Sequence, residues 1–164
     1  MELSDRLARA EGRGVELDGK LVVAMFEHPV GQGDRVRIVW RASVAAPVQG
    51  IRVAVAGGSL RLDGKTWRDV VLWRDTAPDE TVFEVVARRG GALQVWNCWR
   101  VEAQGAGQGP PRRGFMQAWV GNAAMHVERS SETAWTARCN SRPVITFEDA
   151  VFDIVIEAHG TLGR

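Results

Sequence analysis

The most chemically suggestive stretch of this 164-residue chain runs from Leu93 to Glu102. Read as a strand, it puts Leu93, Val95, Asn97, Trp99 and Val101 on one face and Gln94, Trp96, Cys98, Arg100 and Glu102 on the other. The first face reads as core, with Asn97 a polar group that must find partners there. The second sets an indole among an amide, a guanidinium and a carboxylate. Such a face suits a sugar ring, because indole stacks on C–H faces while its polar neighbours bond hydroxyls. The competing reading packs Trp96 as well, since most of the 7 Trp of such a chain are packing residues. Phe115 to Val120 repeats the mixture with Gln117 and Trp119, and Asn122 follows at the Gly121-Asn122 turn. If the two strands are neighbours, Gln94, Trp96, Arg100, Gln117, Trp119 and Asn122 form one candidate ligand-binding set for a carbohydrate or another polar small molecule.

Other chemistry is thinly represented. His126-Val-Glu128 has the H-x-E spacing used in zinc deaminases, but the P-C-x-x-C and the helix that chemistry needs are missing. His126 and Glu128 share a strand face, and nothing in the sequence ties them to His28 or His159, so surface pairing is the reading and no metal is assigned. Cys98 and Cys139 fit no zinc spacing and read as buried free thiols, with a single disulfide open if their strands are neighbours. Either thiol with His126 or His159 would make a nucleophile–base pair, and apolar burial argues against it. Glu84, Glu102, Glu128, Glu148, Asp149, Asp153 and Glu157 could supply the paired carboxylates of a glycosidase, but scattered outward-facing carboxylates are the stronger reading. There is no P-loop, no nucleophile elbow, no H-E-x-x-H and no dinucleotide fingerprint, so neither catalytic residues nor a cofactor are assigned.

The elements that would position these residues are strands. Val15 to Val23 is broken by Asp18-Gly19, and Leu60 to Trp73 by Asp63-Gly64, both strong hairpin signals because the turn needs φ > 0. Val36 to Val44 alternates with Arg and Ser, giving one dry and one wet face. Ile51 to Val55, Thr81 to Ala87, Leu93 to Val101, Phe115 to Val120, Ala124 to Glu128, Thr133 to Cys139, Val144 to Phe147 and Val151 to Ala158 complete the set. With about ten short strands and no helix for a crossover, the pattern predicts an all-β, two-sheet antiparallel sandwich of jelly-roll type, a closed β-barrel being the alternative. One domain over 1–164 is expected, with a short helix or turn within 1–14 and a flexible Gly/Pro loop over 103–114.

Composition bounds the partners. A net charge of +1 gives no field for nucleic acid or an anionic membrane, and no apolar run reaches membrane-span length. Arginine supplies 19 of the 21 basic residues, spread along the chain rather than gathered on one element. The first 14 residues hold no apolar signal segment, and with the thiols this reads as a cytoplasmic protein. A non-catalytic binding module is therefore the expectation. A structural protein that dimerises through a sheet face and a hydrolase with paired carboxylates are the alternatives.

Overall fold

The computed structural model describes residues 1–101 and 115–160; the loop read over 103–114 lies outside the described residues, as does Glu102. In chain order the elements are α1 (Leu3–Arg9), β1 (Val15–Leu17), β2 (Lys20–Val23), β3 (Phe26–Val30), β4 (Arg35–Ser43), β5 (Gln49–Ala56), β6 (Ser59–Leu62) and β7 (Lys65–Trp67). They continue with β8 (Asp69–Trp73), β9 (Glu80–Val86), β10 (Gly91–Val101), β11 (Phe115–Gln117), β12 (Ala124–Ser131), β13 (Ala134–Asn140) and β14 (Ala150–Glu157).

The strands form two antiparallel sheets and no closed barrel. The larger sheet has the order β1-β2-β12-β13-β14-β4-β9-β6-β7. In the smaller one β10 lies between β5, which is followed by β8, and an opposite edge that β3 and β11 share. Alternation decides which side chains meet between the sheets. Val36, Ile38 and Trp40 of β4 and Phe152, Ile154 and Ile156 of β14 are buried, as are Ile51, Val53 and Val55 of β5 and Leu93, Val95, Asn97 and Trp99 of β10. Asn97 finds its partner across the sandwich, its Nδ2 donating to the Asn140 carbonyl at 3.1 Å. The N-terminal helix buries Leu3 and Leu7 against Val22 and Ala124, a small second cluster at the sheet edge.

Both Asp-Gly turns form as expected, with Asp18, Gly19, Asp63 and Gly64 all at positive φ and Leu17 facing Lys20 and Leu62 facing Lys65. The structure has more strands than about ten for two reasons. Phe26–Val30 pairs with β10 despite Pro29, which an edge position tolerates. Lys65–Trp67 and Asp69–Trp73 belong to different sheets, the chain crossing at Arg68.

Val144 to Phe147 is not the expected strand. The Asp149 carboxylate takes the N–H groups of Ser141 and Arg142, and the Asn140 Oδ1 takes those of Thr146 and Phe147, so four backbone donors are committed to side chains. The expected strand to Val120 stops at Gln117, and Trp119 turns the chain at φ 57°.

Candidate functional site

The outer face of the smaller sheet carries the residues singled out in β10. Gln94, Trp96, Cys98 and Arg100 follow one another there, beside Ala54, Arg52 and Gly50 of β5 and Asp69, Val71 and Trp73 of β8. Of the six candidate ligand residues, the fold stacks Trp119 on Trp96 and sets Gln94 beside Trp96 in one cleft, while Arg100 and Asn122 are engaged elsewhere and Gln117 faces Trp99 in the ladder.

Trp96 is buried, only 7% exposed. Trp119 stacks on it with ring centroids 5.0 Å apart and planes 25° from parallel. The guanidinium of Arg52, its cross-strand partner, lies over the ring at 5.4 Å. Trp119 is 48% exposed and held from behind, its Nε1–H donating to the Ala24 carbonyl at 3.0 Å. The open indole of the pair is therefore Trp119, and Trp96 is its backing.

Gln94 donates from Nε2 to Glu27 at 3.2 Å. Arg100 chelates both oxygens of Asp75, at 2.9 and 3.2 Å, and covers the Trp73 ring at 4.7 Å. That hydrogen-bonded guanidinium holds the Asp75 carboxyl below its ordinary value. Gln117 sits opposite Trp99. Asn122 is a structural clamp. Its Oδ1 accepts from Leu3 N at 3.1 Å, its Nδ2 donates to the Pro143 carbonyl at 2.8 Å, and its own carbonyl accepts from Asn140 Nδ2 at 2.9 Å.

Three concavities among the described residues border this region. The largest, about 590 Å³, is an open cleft lined by Gln94 and Trp96 on one side and Arg68 and Asp69 on the other, over Ala54, Val55, Ala56, Gly57 and Gly58. The small floor residues make the depression, because neighbouring columns carry long side chains. A second, about 400 Å³ and mostly apolar, lies between the β6–β7 hairpin and β8, lined by Leu62, Trp67, Val70 and Val71 with Asp63, Lys65 and Asp69. A third, about 240 Å³, separates α1 from Trp119. Arg68 and its cleft carry no motif, and only the juxtaposition of β5, β8 and β10 reveals them.

The alternative chemistries lose their geometry. Both thiols are free and buried, on strands of different sheets. Burial pushes the Cys98 thiol up to about 12 and that of Cys139 well above its ordinary value, where neither is a nucleophile. His28 rests against Trp135, His126 pairs with Glu128 at 3.2 Å, and His159 covers Gly33. No cluster of three His, Cys, Asp or Glu side chains suited to a metal occurs among the described residues. Among the carboxylates, Glu84, Glu148, Asp149, Asp153 and Glu157 each face an arginine. No helix among the described residues is long and apolar enough to cross a membrane. No protein-family model, curated protein or solved structure matches the chain.

Proposed function

We propose that the protein is a non-catalytic binding module for a small polar ligand of the carbohydrate class, received in the cleft between Gln94–Trp96 and Arg68–Asp69. The observation that carries this reading is the mixed lining of that roughly 590 Å³ depression. Its floor of Ala and Gly offers flat apolar contact. Its walls offer an amide, a guanidinium and a carboxylate, the polar groups that fix a hydroxylated ring in one orientation. The volume is that of an ordinary small-molecule site. Trp96 contributes through the rim it leaves open. The two buried free thiols suit a reducing compartment, so the ligand belongs to the intracellular sugar pool.

Titration of a hexose and disaccharide panel, followed by backbone amide chemical shifts, tests the reading. The expected result is perturbation confined to residues 54–58, 68–69 and 94–96, abolished by Gln94→Ala with an unchanged melting temperature. Saturable shifts elsewhere, or none with any glycan, would overturn it.

A further inference from the structure

The end of the sandwich where the cleft opens is where the chain crosses between sheets. β3 leads to β4 through 31–34, β5 to β6 through Gly57-Gly58, β7 to β8 through Arg68, and β9 to β10 through 87–90. The register places these crossings together, with Gly91 opposite Val30, Ala92 opposite Ala56 and Ala54 opposite Asp69. Two of them touch backbone to backbone. A Cβ on Gly58 would lie 2.4 Å from the Val86 carbonyl oxygen, and one on Gly91 2.4 Å from that of Ala56. Gly57 and Gly90, both at positive φ, complete the pair of turns. The Gln32 side chain ties the third crossing in by accepting from Ala87 N at 2.8 Å.

This assembly gathers arginines that are distant in sequence. Arg68 lines the cleft together with Gly57 and Gly58. Arg88 and Arg89 occupy the turn whose Gly90 carbonyl abuts Gly57. All three are exposed, and none of their side chains has a hydrogen-bond or ion-pair partner among the described residues. Arg52 on β5, by contrast, is paired with Asp69 at 2.8 Å. Asp69, the one carboxylate lining the cleft among the described residues, is thus already neutralised by Arg52. Glu27 and Asp34 of the same end accept from neutral donors, Gln94 Nε2 and the N–H groups of Gly31 and His159, and keep their charge, so three arginines stand against two carboxylates and the balance is positive. That positive balance lies beside glycine backbone that a ligand can approach closely. Arginine's planar fork fits the oxygens of phosphate and carboxylate in pairs.

We propose that the cleft selects an anionic sugar, one bearing a phosphate or a carboxylate, whose charged group is received at the crossover end by Arg68, Arg88 and Arg89. The inference rests on the reading of the cleft as a sugar site and adds its charge selectivity. It also gives the site an ionic-strength dependence, because exposed charges are screened over about 10 Å at 0.1 M salt.

The test compares a neutral hexose, its 6-phosphate, its uronate and inorganic phosphate by calorimetric titration at low and physiological salt. Parent protein is set against Arg68→Ala, Arg88→Ala/Arg89→Ala and, as a control in the larger sheet, Arg41→Ala. Melting curves check that each variant is folded. The expected result is at least tenfold tighter binding of the phosphate or uronate than of the neutral hexose. Arg68→Ala should reduce that preference to under threefold, the double variant should weaken it, and Arg41→Ala should leave it unchanged. Whichever charged hexose binds tighter identifies the anion. Equal binding of neutral and charged hexoses overturns the charge selectivity and leaves the sugar site standing. An anion preference indifferent to the three arginines also overturns it. Inorganic phosphate bound as tightly as the hexose phosphate, through Arg68 and with no affinity for the neutral hexose, supports the anion site and overturns the sugar reading. No binding of any probe overturns both.

Discussion

Replacing Trp96 by Ala separates two roles that the same residue could play. An exposed ligand platform loses affinity and keeps its stability, whereas a packed residue loses stability. The structure puts Trp96 in the second class, at 7% exposure under the Trp119 ring and the Arg52 guanidinium. A buried indole removes about 200 Å² from water, which at about 25 cal/mol per Å² gives roughly 5 kcal/mol as an upper figure. Its covering residues sit at the surface and can settle inward, so the cost falls at about 3–5 kcal/mol. For a chain of this size each kcal/mol is worth roughly 2–4 °C, so the melting temperature should fall by about 6–20 °C. Trp119→Ala should cost less, because half of that side chain is already in water. Ala keeps the unfavourable positive φ at 119, so the loss reports the side chain alone. The double variant completes a cycle, and the stacked pair should show a coupling of about 0.5–1.5 kcal/mol. Urea denaturation with far-ultraviolet circular dichroism measures all four proteins. A Trp96→Ala melt within two or three degrees of the parent, or additive single effects, would refute the packing of Trp96 beneath Trp119.

Asp149 should give the fold an acid limit. Burial alone would raise its carboxyl, but the N–H groups of Ser141 and Arg142 and the Arg142 guanidinium outweigh burial and hold it below its ordinary value of 3.8. A depressed folded value means stability that is complete above the unfolded value near 4 and is lost as pH falls below it, so Asp149→Asn should flatten the stability profile on the acid side of about pH 4. Gly58→Ala should destabilise by at least about 1–3 kcal/mol in urea melts, because its Cβ would meet the Val86 carbonyl oxygen at 2.4 Å. Cys98 and Cys139 should stay silent to a thiol-specific chromogenic reagent at pH 8 in the native state and both react at once in denaturant; rapid native labelling would contradict their burial.

The strand content is legible in the sequence because period-two alternation is a local property. Val36 to Trp40 and Leu93 to Trp99 show it plainly; the first packs as the pattern implies, while in the second the expected core face is buried and Trp96 and Cys98 of the opposite face are buried as well. Asp18-Gly19 and Asp63-Gly64 are legible because a two-residue turn states its own backbone requirement. Val144 to Phe147 is misleading. Its apolar residues suggest a ladder, while Asn140 and Asp149 claim the backbone donors from outside the segment. The cleft is legible only in part. Gln94 and Trp96 are visible as an odd pair on one strand. Arg68 and the two glycine-bearing crossings become neighbours only when the sheets are stacked. The even spread of arginine along the chain gives no sign that Arg68, Arg88 and Arg89 share one end of the molecule. Trp119 looks like a partner for Trp96 by composition, but that it serves as a lid over it follows from the turn at φ 57°.

The placing of β14 bears on how the protein is made. The strand at Ala150–Glu157 is the last to be synthesised among the described elements, yet it lies fifth of nine in the larger sheet, zipped between β13 and β4. During synthesis, β4 and β13 each wait with a long unpaired edge until residues 150–157 have left the ribosome. Until then two half-sheets coexist on one nascent chain, with Trp40 and Trp135 still short of their final cover. The insertion of β14 is therefore the event that joins them, and a chain stalled before it offers two sticky edges to chaperones, proteases or other nascent chains. Slow translation of the segment carrying β14 would prolong that exposure, while the β1–β2 hairpin, being local, would be finished long before.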